Sequence, residues 1–117
     1  MVVRPGRAVR GSTSGRPIMA ALDLLGRRWV LRVLWELRQS PRGFVELRRA
    51  CDDMSSSVLA TRLGELVAAN LVEEDDMGYR LSPLGEELGT ALDPLLGWSK
   101  RWAQTFVDPS PAAPDEF

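Results

Sequence analysis

The sequence predicts a mainly α-helical domain with one small β-hairpin in its second half. Apolar residues recur at helical spacing over most of residues 17–107, and the pattern shortens to a strand-like period only around residues 71–81. A length of 117 residues suits one domain with a single core and is too short for two ordinary ones. We therefore expect a single compact unit with extended ends.

The two ends of the chain have a different composition from this domain. Residues 1–16 are rich in Arg, Gly and Ser and contain few apolar side chains, so we expect a flexible arm. Such an arm can reach into a DNA minor groove or can simply be disordered. The tail DPSPAAPDEF, residues 108–117, is Pro-rich and acidic and is predicted to be disordered.

Two helices are predicted at the start of the domain. Pro17 suits a first helical turn, and Gly26 suits a helix end. The second helix should end before Pro41, because a proline disfavours the helical conformation in the residue ahead of it. The apolar residues at helical spacing are Ile18, Leu22 and Leu25 in the first helix and Trp29, Val33, Leu34 and Leu37 in the second.

A helix-turn-helix is predicted next. A short helix covers about residues 43–50, with Phe44 and Leu47 facing inward and Arg48 and Arg49 facing outward, and a turn at residues 51–54 closes it. Ser55 can cap the following helix with its hydroxyl. The apolar stripe of that helix comprises Val58, Leu59, Leu63, Leu66 and Val67. Two helices joined by a turn of about four residues form a helix-turn-helix.

A β-hairpin should follow this motif. Asn70 can end the preceding helix, residues 71–74 and 79–81 have strand-like patterns, and residues 75–78 separate them. Gly78 can adopt the positive φ that the turn requires. A hairpin in this place is the wing of a winged helix-turn-helix.

A long helix is predicted to close the domain, from Ser82 and Pro83 to about Val107. Ser82 is a suitable cap, and Pro83 suits the first turn. Pro94 should interrupt and kink this helix, since its ring removes a backbone hydrogen bond. The apolar side comprises Leu84, Leu88, Leu92, Leu95, Leu96, Trp102 and Phe106.

Composition excludes several classes of function. The chain has no histidine, and its glycines do not form a phosphate-binding loop, so we expect no enzyme, no metal site and no cofactor. No apolar run is long enough to span a membrane, and residues 1–17 do not resemble a secretory signal, which favours a cytoplasmic protein. Cys51 has no partner for a disulfide. It is interpreted as a small core residue rather than a reactive thiol, because two acids follow it.

Charge is distributed unevenly along the chain. Residues 1–50 contain eleven arginines and three acids, whereas residues 51–117 contain four basic residues and thirteen acids. This asymmetry could steer an anionic partner to one face, or the two halves could neutralise each other in the fold or across a dimer.

With its elements in this order, the chain resembles the HxlR family of bacterial winged-helix transcription regulators, within the MarR-like superfamily. The resemblance extends from Pro17 to about Trp102. It rests on ALDLLGRRW (residues 21–29), FVELRRA (44–50), SSSVLATRLGEL (55–66), NLV (70–72) and YRLSPLGEEL (79–88). It implies a homodimer joined through its terminal helices that binds a near-palindromic duplex DNA operator and regulates a neighbouring gene.

Three departures from the family pattern matter. Where members usually carry Cys-Pro-Val ahead of the first helix, this chain has Arg16, Pro17 and Ile18, so redox sensing by that cysteine is not implied. The outward face of the second motif helix lacks the usual Gln and Arg. The wing is short and reads EEDDMG, and its acids would be repelled by DNA phosphates.

The predicted DNA-binding residues lie in the helix-turn-helix and just before it. They are Arg42, Arg48, Arg49, Ser55, Ser56, Ser57, Ala60, Thr61, Arg62 and Gly64. Arginines of the first motif helix can neutralise phosphates, and hydroxyls of the second can contact phosphates or base edges. Arg62 could contact a phosphate or could pair with Glu65 or Glu46.

The predicted dimer interface comprises Leu22, Leu88, Leu92, Leu95, Trp98, Trp102 and Phe106. Trp98 and Trp102 lie one helical turn apart, and tryptophan is enriched at interfaces. A pocket for a small-molecule effector, formed by these tryptophans with Trp29 or Trp35, is the alternative.

The leading functional hypothesis is a dimeric regulator, expected to be a repressor, that reads DNA through residues 55–69. The rival hypothesis is a winged-helix interaction module that binds another protein through its acidic surface. It is motivated by the small, uncharged outward face of the second motif helix and by the acidic wing.

Overall fold

The computed structural model of the chain describes residues 16–106 and has the predicted mainly α-helical architecture with one hairpin. In chain order the elements are α1 (Pro17–Leu25), α2 (Val30–Gln39), α3 (Phe44–Ala50), α4 (Ser56–Ala68), β1 (Val72–Asp75), β2 (Gly78–Leu81) and α5 (Pro83–Gln104). Residues 1–15 of the predicted arm (1–16) and the whole predicted tail (108–117) lie outside the described residues. The winged helix-turn-helix prediction is confirmed.

One apolar core joins the helices and the hairpin. Its fully buried side chains come from α2, α3, α4 and Cys51 just after α3, and the strand residues Val72 and Leu81 close it from the wing side. Leu47 of α3 lies buried, as predicted, and Phe44 packs against the core from its edge. Val67 was predicted to lie in the apolar stripe of α4, but it is exposed, because the core contacts of this helix end at Leu66.

The connection between α1 and α2 differs from the prediction. Trp29 does not begin the face of α2. It is the residue ahead of the helix, with a left-handed backbone at φ 76°. A left-handed conformation is unusual for a bulky residue. It turns the chain sharply between the two helices, so residues 26–29 form a tight corner, which we call the α1–α2 corner.

The turn between α3 and α4 uses two consecutive left-handed residues, Asp52 and Asp53, with φ of 58° and 54°. Aspartate tolerates this conformation better than most residues. Ser55 then caps α4, since its Oγ accepts a hydrogen bond from the Val58 amide at 3.4 Å. The predicted capping role of Ser55 is confirmed.

The wing is a tighter hairpin than predicted. The strands pair antiparallel from Val72 with Leu81 to Asp75 with Gly78, so only residues 76 and 77 form the turn. Gly78 has the expected positive φ of 129°. A side chain there would also meet the Arg42 carbonyl oxygen at 2.5 Å, because Arg42 adds a short antiparallel bridge to Tyr79. Both the positive φ and the nearby Arg42 carbonyl therefore require glycine at this position.

Helix α5 starts at a doubly bonded cap. Ser82 Oγ accepts from the Gly85 amide at 3.0 Å and donates to the Asn70 carbonyl at 2.7 Å, which ties the helix start to the beginning of the wing. The helix continues unbroken past Pro94 to Gln104, so the predicted interruption is wrong, and the kink stays a prediction. No helix in residues 16–106 is both long and apolar enough to cross a membrane.

Candidate nucleic-acid interface

The outward face of α4 is a small, uncharged and accessible surface. All of its predicted contact residues except Arg62 are exposed, namely Ser55, Ser56, Ser57, Ala60, Thr61 and Gly64. A Cβ atom at Gly64 would meet nothing within 4 Å, so the middle of the face is open to an approaching molecule. Short side chains of this kind allow a helix backbone to come close to a partner.

The hydroxyls on this face are held in defined positions. Thr61 Oγ1 donates to the Ser57 carbonyl at 3.0 Å, and Ser55 Oγ and Ser57 Oγ lie 3.0 Å apart. Each oxygen keeps acceptor capacity for an incoming donor, such as the exocyclic amine of a base. The face can therefore supply hydroxyl and methyl contacts, but no charge.

The arginines predicted to contact phosphates have different surroundings. Arg49 is exposed, and within residues 16–106 its guanidinium has no bonded partner. Arg48 was predicted to face outward, but it is partly buried. Its Nε donates to the Met54 carbonyl at 2.6 Å, so this side chain holds the turn ahead of α4. Its main role in the fold is thus to fix the angle between α3 and α4.

Arg42 is also engaged within the fold. Its guanidinium lies 3.6 Å from Glu36 Oε1 and 3.4 Å from the Glu36 carbonyl. Its backbone amide and carbonyl bond Tyr79 at 3.0 and 2.8 Å. Arg42 therefore joins α2 to the wing, with Arg49 as the cation of this set that lies open to solvent.

Arg62 forms an ion pair. Its guanidinium bonds Glu65 on the next turn, and its Nε donates to the Arg28 carbonyl at 2.9 Å. Glu65 also accepts from Arg27, which in turn bonds Asp23 of α1 at 2.9 Å. Of the two acids considered from the sequence, Glu65 and not Glu46 is the partner of Arg62. The resulting network of ion pairs joins α4 to the α1–α2 corner.

The wing carries an acidic surface. Arg80 forms ion pairs with Asp75 and, at 3.5 Å, with Glu73. Glu74 and Asp76 are exposed and lie outside these ion pairs. The Arg80 hydrogen bond holds the pKa of Asp75 below its usual range, so that carboxylate stays charged. The face that the wing presents is therefore negative.

The predicted dimer residues divide into two groups. Five are exposed apolar side chains: Leu22 (55%), Leu95 (48%), Trp98 (50%), Trp102 (54%) and Phe106 (75%). The rings of Trp98, Trp102 and Phe106 form a row, with centroids 5.8 and 5.5 Å apart. Leu88 and Leu92 are partly buried and line a groove, whose lining also includes the exposed Leu95 and Trp102.

This groove lies between α2 and α5 and has a volume of about 380 Å³. Its walls include Leu34 and Trp35 of α2, and Leu92, Leu96 and Trp102 of α5. Two of the tryptophans proposed for a ligand pocket thus meet here, Trp35 and Trp102, whereas Trp29 and Trp98 do not line it. The bidentate pair of Arg38 with Asp93 joins the two helices at its edge.

Cys51 lies in the core, with none of its surface exposed. Burial raises the pKa of its thiol, and the carboxylates of Glu36 and Asp52 raise it further, against an opposing effect of Arg32. The interpretation of Cys51 as a core residue agrees with this position. Among residues 16–106, no three potential metal ligands come together.

Sequence reasoning missed the α1–α2 corner as part of this region. Arg28 is exposed, its guanidinium lies 5.8 Å from the Trp29 ring centroid, and its carbonyl contacts Arg62 of α4. Nothing in the local pattern links residue 28 to residue 62, since the contact depends on the left-handed turn at Trp29. A run of two arginines after the Gly26 stop was the one available signal.

Comparison with known proteins decides the family. The sequence profile of the HxlR-like helix-turn-helix matches residues 24–106, which is most of the chain. The chain belongs to the HxlR family. The Bacillus subtilis HTH-type transcriptional regulator YvaP is 33% identical over 93 residues, covering 77% of this chain and 86% of the relative. YodB, an HTH-type transcriptional regulator from the same organism, is 28% identical over 109 residues, covering 91% of this HxlR-family chain and 97% of YodB.

Solved structures show the same fold. The quinone-bound crystal structure of YodB superposes with a TM-score of 0.68 at 28% identity, over 72% of this chain and 96% of that one. A structure from Enterococcus faecalis V583, described as a transcriptional regulator of the MarR family, gives a TM-score of 0.67 at 30% identity, over 83% and 94%. The HxlR family and these relatives are transcriptional regulators, and their likeness supports a DNA-binding regulator rather than an enzyme.

Proposed function

We propose that this protein is a dimeric transcriptional repressor that binds operator DNA with residues 55–64 of α4 in the major groove. The observation that carries the proposal is the exposed, uncharged face of α4 on a helix-turn-helix of the HxlR family. A major groove about 12 Å wide admits an α-helix, and small residues let that helix approach the base edges closely. We assign repression because a dimer bound across a promoter would block access to that DNA.

The residues of the motif would have separate tasks. Ser57, Thr61 and Ala60 contact base edges and thymine methyl groups, whereas Arg49 neutralises a phosphate. Arg48 and Arg42 act indirectly, since Arg48 holds the turn and Arg42 holds the wing. Arg62 supports the pose of α4 through Glu65.

Dimerisation through α5 and α1 is supported by the row of exposed rings at the end of α5. Trp98, Trp102 and Phe106 are each at least half exposed, an unusual amount of aromatic surface for a domain of this size. Burying these rings and Leu22 against a second copy would remove that surface from water. Two copies would also present two α4 helices to a palindromic site.

Effector binding in the α2–α5 groove is a second property that we propose. The groove volume of about 380 Å³ lies within the range of small-molecule sites, and its lining is mostly apolar with Arg38 at the edge. YodB has been crystallised with a bound quinone. A small aromatic ligand entering this groove would quench Trp35 and Trp102, and the quenching should decrease in the Trp35→Phe variant.

The acidic wing is the observation that favours a different function. Glu74 and Asp76 are exposed on the wing, which gives it a negative surface. A protein-interaction module would use this surface and would show no binding to duplex DNA. Within the repressor proposal, the same acids limit non-specific binding, because they repel phosphates of any sequence.

The test is fluorescence anisotropy of a labelled duplex from the region upstream of the gene, beside a scrambled duplex, at two salt concentrations. The repressor proposal predicts sequence-dependent binding that weakens steeply with salt. The Ser57→Glu variant should lose it, because a carboxylate would be placed on the reading face. Absence of binding by a folded dimer would refute the proposal and favour the interaction module.

A further inference from the structure

A second cationic surface lies beside the reading helix, at the α1–α2 corner. Gly26 ends α1, and the left-handed backbone of Trp29 turns the chain into α2, so Arg27 and Arg28 lie at the apex of a tight bend. The bend contacts α4, since the Arg28 carbonyl accepts from Arg62 Nε at 2.9 Å. The corner is therefore fixed relative to the reading helix.

Three ion pairs fix this arrangement. Glu65 of α4 accepts from both Arg62 and Arg27, and Arg27 also bonds Asp23 at 2.9 Å. These side chains are largely shielded from solvent, with 14% of Arg27, 16% of Glu65 and 22% of Arg62 exposed. Shielded, multiply bonded pairs of this kind hold elements in place better than exposed pairs do.

The corner lies close to the face that would read DNA. Glu65 follows Thr61 by four residues, so the two side chains lie one helical turn apart along the same edge of α4. Thr61 belongs to the exposed reading face, and Glu65 binds the corner. When α4 lies in a major groove, the phosphate backbones run along its two sides, so the corner bonded to Glu65 would lie beside one of them while Thr61 faces the base edges.

Arg28 is the cation of the corner that remains available. Arg27 and Arg62 are neutralised by Asp23 and Glu65, which leaves the positive charge of Arg28 uncompensated. Arg28 is exposed and, within residues 16–106, forms no ion pair. Its guanidinium lies near the ring of Trp29, at 5.8 Å. The neighbouring aromatic ring restricts the side chain without neutralising it.

We propose that Arg28 contacts a DNA phosphate beside α4, forming a second backbone contact separate from Arg49 on α3. The inference rests on the proposed DNA-binding function. It accounts for how a winged helix with an acidic wing could be held on DNA, since the cation comes from the α1–α2 corner instead of the wing. Arg28 sets affinity rather than sequence preference, because a phosphate carries no direct sequence information.

The test compares the wild-type protein with Arg28→Gln, Arg28→Lys and the control variant Arg101→Gln. Arg101 is likewise an exposed arginine, but it lies in the last turn of α5. Anisotropy titrations of the operator duplex and a scrambled duplex are recorded over a series of salt concentrations. Circular dichroism and light scattering verify that each variant has the wild-type fold and mass.

We expect Arg28→Gln to weaken binding roughly fivefold or more on both duplexes. The slope of log affinity against log salt should become shallower by about two, since a dimer loses two phosphate contacts. Arg28→Lys should keep the slope, because it keeps the charge, and Arg101→Gln should match the wild type. A purely structural role of Arg28 would leave the slope unchanged.

The experiment distinguishes failure of the Arg28 inference from failure of the proposed DNA-binding function. If the wild type binds operator DNA, and Arg28→Gln binds it with the wild-type affinity and the wild-type salt dependence, the Arg28 inference is refuted while the proposed function stands. If the folded wild-type dimer binds no DNA at any salt concentration, both are refuted. A weakening seen only on the operator duplex would also contradict the inference, since it would indicate base recognition rather than a phosphate contact.

Discussion

At the scale of single residues, two glycines differ in how closely their surroundings pack against them. Gly85 in the first turn of α5 lies against the start of the wing, where a Cβ atom would approach the Leu71 carbonyl oxygen to 2.2 Å. Gly64 in α4 faces open space. The first glycine is required by packing, and the second is not required by the fold at all.

Replacing Gly85 should therefore be costly. Gly85→Ala should lower the free energy of unfolding by at least about 2 kcal/mol, because the backbone of either α5 or the wing must move to relieve the contact. Urea denaturation, monitored by circular dichroism, measures the free energy of unfolding. Gly97→Ala in the same helix is the control, since its Cβ would meet only Arg101 Nη1 at an ordinary 3.5 Å. Equal stabilities of the two variants would show that position 85 can accommodate a methyl group.

Gly64→Ala should have the opposite effect on stability. An exposed helical glycine costs about 0.5–1 kcal/mol relative to alanine, so the variant should unfold at a higher urea concentration. If Gly64 allows α4 to approach base edges, the same variant should bind operator DNA more weakly. A more stable protein with unchanged DNA affinity would remove Gly64 from the interface.

At the scale of elements, sequence patterns predicted most of the fold. Local signals determined where helices begin and end, because each of them acts within a few residues. These signals are helical spacing, the caps at Ser55 and Ser82, and the stops at Gly26 and Pro41. The hairpin was also found, although its strands reach the turn one residue further than expected. Local chemistry was sufficient for these features.

Contacts between distant parts of the chain could not be predicted in the same way. The inward role of Arg48 depends on carbonyls that two left-handed aspartates expose, and the Arg28–Arg62 contact depends on the left-handed Trp29. The arginines of the candidate interface could be named from the sequence. Which of them are engaged in the fold required the three-dimensional arrangement.

The wing gives a prediction at this scale. Glu74→Lys combined with Asp76→Lys should raise affinity for any duplex, because two repulsive charges become attractive. Affinity for the scrambled duplex and for the operator should rise by a similar factor, so the ratio between them should stay near its wild-type value, because phosphates carry no direct sequence information. Anisotropy titrations of both duplexes at one salt concentration measure the ratio. Unchanged binding of both would show that the wing lies away from DNA.

At the scale of the whole molecule, the two apolar regions of α5 have different surroundings. One side faces α2 across the groove, and the far end carries the row of exposed rings. Trp98 and Phe106 belong to the row and do not line the groove. Neither side chain belongs to the buried core, so both can be changed while the core of each protomer stays intact.

Trp98→Glu combined with Phe106→Glu should therefore give a folded monomer. Buried charges would oppose dimerisation, whereas the core of each protomer remains intact. Light scattering after size-exclusion chromatography measures the mass, and circular dichroism verifies the fold. Operator binding should fall with the loss of the second α4. A variant that remains dimeric would place the interface elsewhere.

The central claim is that two α4 helices of one dimer read duplex DNA. The most direct test is hydroxyl-radical footprinting on a duplex selected by the protein from a random-sequence pool. We expect a near-palindromic site with two protected regions centred about one helical turn, roughly 34–36 Å, apart, and loss of both regions in Ser57→Glu. Failure to enrich any sequence, or protection that persists in Ser57→Glu, would contradict it.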